Sequence, residues 1–99
     1  MNFYNKIYEK LKKVPKGKVT TYKILANSIG TKAYRAVGQA MNKNPYAPKI
    51  PCHRVVNSQG YLHGYAHGLK KKRELLEKEG IKIKNNKIVD FEKVLFRNF

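Results

Sequence analysis

Cys52 is the only cysteine among 99 residues, and His53 follows it directly. A thiolate is the attacking form of cysteine, and a neighbouring base or cation lowers its pKa. The pair has the residue types of nucleophilic catalysis. Its spacing says less. From Pro45 to Pro51 the chain reads as extended, and adjacent side chains of an extended segment point to opposite faces. A water or a turn must then join thiol and imidazole. The alternative for Cys52 is an inert core residue, a common fate of free cysteine. Zinc is a further chemistry that Cys52, His53, His63 and His67 could serve, since all four are ligand types. Their spacing fits no zinc pattern. Two are adjacent, and Gly64 and Gly68 bracket His67, which keeps it off a helix face shared with His63. No metal is expected. A single cysteine also excludes an internal disulfide and fits a reducing, cytoplasmic compartment.

The elements that must position these residues read as mainly helical. Phe3, Tyr4, Ile7, Tyr8 and Leu11 recur at helical spacing, which predicts a helix over 3–13. Pro15 and Gly17 stop it. Thr20 or Thr21 can cap a second helix whose apolar face is Tyr22, Ile24, Leu25, Ala26 and Ile29, and Gly30 ends it. Thr31 can cap a third helix from about 32 to 43, which stops before Asn44-Pro45. Two short helices joined at a glycine are a helix-turn-helix signature. A fourth helix is expected over about 69–78, ending at Gly80. The alternation of 81–84 and 87–91 around Asn85-Asn86 predicts a small β-hairpin, a wing beside the helix-turn-helix. The tail from Glu92 to Phe99 is expected to pack back as a short helix. The expected fold is a winged helix-turn-helix-like, three-helix domain with a β-hairpin wing, occupying residues 1–99 as one unit.

Composition bounds the partner. Hydrophobic residues make up 41% of the chain, with 7 Tyr and 4 Phe, enough for a globular core. No apolar run approaches the length of a membrane span, and no signal peptide opens the chain. Lys and Arg total 22 against 6 Asp and Glu, a net charge of +16. Such a field attracts polyanions, and nucleic acid is the first candidate. A membrane surface is disfavoured, because no long basic amphipathic helix stands out. The cations are mostly Lys, which bind as point charges, so a merely solvated surface is the plain alternative. No interface signal is visible, and a monomer is expected.

Six blocks make the sequence resemble a known family. Ile50-Pro51-Cys52-His53-Arg54-Val55-Val56 is similar to the active-site signature of the O6-alkylguanine-DNA alkyltransferases. Val14-Pro15-Lys16-Gly17-Lys18-Val19-Thr20-Thr21-Tyr22 resembles the entry into that family's first DNA-binding helix. Arg35-Ala36-Val37-Gly38-Gln39-Ala40-Met41 resembles its recognition helix. Asn44-Pro45, Tyr65-Ala66-His67-Gly68-Leu69 and Leu75-Leu76-Glu77-Lys78-Glu79-Gly80 follow in the family's order. The resemblance spans about Phe3 to Gly80.

The resemblance implies a DNA-repair protein that moves an alkyl group from O6 of guanine onto Cys52, once per molecule and without a cofactor. His53 would deprotonate Cys52 through a water, and Glu79 would orient the imidazole. Asn44 would hold the active-site turn. The base must leave the stack, with Arg35 filling the gap, and Tyr22 would donate toward guanine N3. The recognition helix would enter the minor groove of double-stranded DNA, using Ala33, Tyr34, Arg35, Ala36, Gly38 and Gln39. Val55, Tyr65, Ala66 and His67 would line the base pocket. On the residues alone, Glu79 reads as a solvated charge before a helix-ending Gly, Arg35 equally as a phosphate contact or surface charge, and Tyr22 as a core aromatic.

Three departures from the family pattern matter. Relatives usually carry a further N-terminal domain, and here the sequence starts almost at the catalytic one. The pocket loop has Ala66-His67 where relatives commonly have a small hydroxyl residue and Gly, which predicts preference for methyl over bulky groups such as benzyl. The segment after Gly80 matches loosely. A non-catalytic alkyltransferase-like lesion binder is the competing reading, but that class typically lacks the acceptor cysteine. A plain winged-helix DNA binder is the third.

Overall fold

The computed structural model describes residues 2–46, 49–65 and 67–99. Helix α1 spans Phe3–Leu11 and starts where Asn2 accepts from the Asn5 N–H at 2.8 Å. It ends two residues before the sequence-based limit, and its Ile7, Tyr8 and Leu11 are buried. Strand β1, Thr20–Thr21, leads straight into helix α2, Tyr22–Ser28. The Thr21 hydroxyl accepts from the Ile24 N–H at 3.0 Å and supplies the expected cap. Gly30 has φ +73°, a left-handed conformation that closes α2 without a Cβ clash.

Helix α3, Tyr34–Asn42, starts later than Thr31 predicts. The Thr31 hydroxyl accepts from the Ala33 N–H at 3.1 Å, and the Tyr34 N–H donates to the Lys32 carbonyl at 2.8 Å. Thr31 therefore caps a tight turn rather than the helix, a competing local use of a Ser/Thr side chain. Helix α3 buries Val37, Ala40 and Met41 and leaves Ala33, Tyr34, Arg35 and Gln39 exposed. Together α2 and α3 form the helix-turn-helix.

The Cys52 segment is not extended at its centre. Cys52–Arg54 form a single 3₁₀ turn, followed directly by strand β2, Val55–Val56. Strands β1 and β2 pair in parallel, Thr20 with Val55 and Thr21 with Val56. This pairing ties the entry of α2 to the exit of the Cys52 turn. No alternation in two-residue strands could announce it. Helix α4, Leu69–Lys78, ends at Gly80 as expected.

The wing is present, though shorter than the alternation suggests. Strands β3, Ile83–Lys84, and β4, Lys87–Ile88, pair antiparallel around Asn85 and Asn86, both at positive φ. Two such residues make the mirror-image turn that matches strand twist. Helix α5 is one turn, Phe91–Val94. The tail then pairs with Val19, whose N–H donates to the Val94 carbonyl at 2.9 Å and whose carbonyl accepts from the Phe96 N–H at 2.7 Å. One core joins α1, α2, α3 and the Cys52 turn; a second joins β1, β2, α4 and the wing. Among the described residues no helix is long and apolar enough to cross a membrane.

Candidate active site

The 3₁₀ turn places Cys52 and His53 where the two cores meet. Both are almost fully buried, at 2% and 1% exposure. The turn is held from one side by Asn44, which is buried. Its side-chain N–H donates to the Ile50 carbonyl at 2.8 Å, and its carbonyl oxygen accepts from the Tyr46 N–H at 2.9 Å. Asn44 thus stitches the approach to Cys52, as the resemblance implies.

On the other side Glu79, at the C-terminal cap of α4, faces the turn. His53 Nε2 lies 2.9 Å from Glu79 Oε2. Arg54 grips the same carboxylate with two bonds, Nε to Oε1 at 2.9 Å and Nη2 to Oε2 at 2.7 Å. Its third nitrogen donates to the Val14 carbonyl at 2.8 Å. Burial pushes the Glu79 carboxyl up, but the Arg54 and His53 hydrogen bonds outweigh it and hold it below the ordinary carboxylate range. Glu79 is therefore a carboxylate and can only accept. The proton of a neutral His53 must sit on Nε2, which leaves a lone pair on Nδ1. That Nδ1 is buried and has no partner among the described residues. Burial also lowers the His53 pKa, against the opposing pull of Glu79, so the ring is neutral near pH 7. A neutral imidazole with one fixed N–H and one free lone pair can take a proton.

Burial pushes the Cys52 thiol up, while an Asn44 hydrogen bond and the Lys72 charge pull it down. Lys72 is wholly buried. Its ammonium donates to the carbonyls of Val55 at 2.6 Å, Gly64 at 3.0 Å and His63 at 3.3 Å. Burial lowers its pKa to about 8, and the Cys52 charge opposes that shift. Lys72 joins β2 to the 63–64 loop. The Val55 carbonyl assigned to the base pocket is thus already engaged by Lys72, and the Val55 side chain is fully buried.

The remaining expected residues divide. Tyr22 is half-buried, and its hydroxyl donates to the His63 carbonyl at 2.5 Å. Burial and the Cys52 charge push its pKa up to about 12, so it stays a donor. Tyr22, Tyr34, Arg35, Gln39, Asn57 and His63 line one open cleft beside α3. Ala33 sits exposed at its N-terminal edge, whereas Ala36 turns half inward. Tyr65 stands edge-on to both His53, with centroids 6.5 Å apart, and His67, 5.4 Å apart. Ala66 lies outside the described residues. Among those described, no cluster of His, Cys, Asp and Glu could hold a metal.

Sequence reasoning assigned nothing to Arg54 or Lys72. A signal existed for Lys72. It falls at i, i+3, i+4 and i+7 with Leu75, Leu76 and Glu79, inside the buried stripe of α4. Arg54 stood in the signature heptapeptide, but nothing in the spacing foretold its grip on Glu79.

Comparison with known proteins decides the family. Residues 2–81 match the model of the 6-O-methylguanine DNA methyltransferase, DNA binding domain. The chain belongs to this methyltransferase family. It is 52% identical over 77 residues, 78% of its length, to a methylated-DNA–protein-cysteine methyltransferase from Saccharolobus solfataricus. The chain spans about half the length of the curated relatives it matches. S. pombe Atl1, solved in complex with damaged DNA containing O6-carboxymethylguanine, superposes with a TM-score of 0.84 at 31% identity, covering 95% of this chain and 94% of that one. The Mycobacterium tuberculosis OGT in complex with DNA gives 0.77 at 41% identity, covering 80% of this chain and 50% of that one. The mainly helical fold of the family's DNA-binding domain, with short strands, is therefore established here.

Proposed function

We propose that this chain repairs double-stranded DNA by transferring an alkyl group, chiefly methyl, from O6 of guanine to Cys52. The observation that carries the reading is the His53–Glu79 pair, with its N–H side fixed at 2.9 Å and its lone-pair side buried, free and next in the chain to the only cysteine. Through a water, His53 Nδ1 takes the Cys52 proton and Glu79 stabilises the imidazolium. The thiolate attacks the alkyl carbon in line. The C–O6 bond breaks as the S–C bond forms, and guanine leaves as the Tyr22 hydroxyl turns from the His63 carbonyl to donate toward N3. The thioether has no route back, so each molecule acts once, and no cofactor takes part.

The cleft beside α3 supports a DNA-binding role. Its wall presents the Arg35 guanidinium, suited to fill the gap of a flipped base, beside Gly38 and Gln39, with Ala33 exposed at the start of α3, side chains small or flat enough for a minor groove. Asn44 positions the Cys52 turn. Tyr65 and His67 edge the base pocket, and their close ring pair favours methyl over benzyl. A monomer acting on DNA inside the cell completes the reading.

A second reading is lesion binding without transfer. It is favoured by the match to Atl1 bound to damaged DNA, which spans 95% of this chain and 94% of that one. Cys52, with His53 and Glu79 in place, weighs for transfer. One experiment separates them: intact mass after mixing with a duplex holding one O6-methylguanine. A gain of one methylene on Cys52, absent in Cys52→Ser, is the expected result, and a benzylated duplex should react more slowly. Tight lesion binding with no mass gain would establish the second reading instead.

A further inference from the structure

The wing carries a charge arrangement that its own fold does not need. Ile81, Ile83 and Ile88 are buried in the second core, while Lys82, Lys84 and Lys87 are exposed. Lys84 and Lys87 are direct partners across the hairpin. Like charges in that position are destabilising. No carboxylate relieves them: the ion pairs found among the described residues do not include Lys82, Lys84 or Lys87.

The wing is also fastened to the cleft. Strand β4 bridges Tyr61, the Leu62 N–H donates to the Asn86 carbonyl at 3.0 Å, and the Ile88 N–H donates to the Gly60 carbonyl at 2.9 Å. The 60–62 segment thus acts as a third strand. One residue later it reaches His63, which lines the cleft and accepts from Tyr22. Lys87 Nζ sits 5.3 Å above the exposed Tyr61 ring, which holds the cation outward beside that rim. Residues beyond 81 lie outside the stretch that matches the family model.

We propose that the wing is a second DNA contact, in which Lys84 and Lys87 grip backbone phosphates of the duplex flanking the α3 footprint. The polyanion supplies the counter-charge that the hairpin lacks. The proposal rests on the DNA-binding reading above. It adds affinity that is independent of the lesion, because phosphates carry no sequence or damage information.

The test is binding of an undamaged duplex long enough to run past the α3 footprint, titrated from about 50 to 200 mM salt. Parent protein is compared with Lys84→Gln/Lys87→Gln and with a control pair, Lys6→Gln/Lys13→Gln, which border a separate groove with Ser28 and Ile29. Two lost phosphate contacts lower the log–log salt slope by about 1.8, so across that range the parent loses about tenfold more affinity than the wing variant. The control pair should follow the parent. The wing variant should stay folded and melt close to the parent temperature, since relief of the like-charge pair offsets loss of the Lys87–Tyr61 contact. An unchanged slope or an equal change in the control pair would overturn the proposal. A parent that shows no salt-dependent duplex binding would sink the DNA reading itself.

Discussion

At the scale of residues, Glu79 is the hub: it holds His53 by one bond and is itself held by two from Arg54. Both titrating partners make stability fall with acid. The Glu79 carboxyl lies below its ordinary 4.5, so the unfolded chain takes up that proton first. Its contribution is full above pH 4.5 and is lost as pH falls through the folded value. His53 lies below its ordinary 6.5, so the unfolded chain again binds the proton first, and loss begins near pH 6.5. The melting temperature should therefore decline from about pH 6.5 downward, and Glu79→Gln should flatten the portion below 4.5. A melting temperature constant from pH 7 to 4 would contradict this account. Removing Arg54 by Arg54→Met should cost about 3 kcal/mol, since it leaves a nearly buried carboxylate short of its main partner. It should also slow transfer, because His53 loses its fixed orienter. Cys52, His53 and Glu79 were legible, but only through a multi-block resemblance. The residues alone left Glu79 as a surface charge. Arg54 escaped because a bidentate grip between positions 25 apart has no periodic signature.

At the scale of elements, helices announced themselves and strands did not. Helices α1 and α2 follow 3.6-residue patterns behind side-chain caps, α4 follows one up to its Gly stop, and α3 slipped only because Thr31 spends its hydroxyl on a turn. The β1–β2 pair, which fixes α2 against the nucleophile, rests on two residues per strand, too few for an alternation to register. The tail was legible as a helix but not as a clamp. One clamp contact is testable. Gly60 has φ +87°, and a Cβ built there would come within 2.9 Å of the Phe91 ring. Gly60→Ala should cost about 2 to 3 kcal/mol, from left-handed strain together with the ring clash. In a Phe91→Ala background the clash disappears and only about 1 kcal/mol should remain. Chemical denaturation of the four proteins measures the cycle. Equal costs in both backgrounds would show that Phe91 does not press on the 58–60 turn.

At the scale of the whole molecule, a small basic domain holds its one cysteine inside its core. The chain carries +16 over 99 residues, a self-repulsion that leaves modest net stability. Cys52 is 2% exposed and belongs to the same buried cluster as Val55, Ile50 and Leu25. A thiol that becomes a methyl thioether there adds a methylene to packed space. Overpacking of that kind costs about 1 to 3 kcal/mol. For a domain of this size each kcal/mol lowers Tm by about 4 to 8 °C. Protein that has reacted with a methylated duplex, then been freed of DNA, should melt about 5 to 20 °C below unreacted protein. The same treatment with an undamaged duplex should leave Tm unchanged. The difference separates alkylation from DNA exposure, because only the first alters a covalent bond in the core. An alkylated protein with an unshifted Tm would mean that the space around Cys52 already accommodates the methyl group. Burial of the nucleophile would then serve its protonation state alone, and the reacted chain would persist as a folded DNA binder.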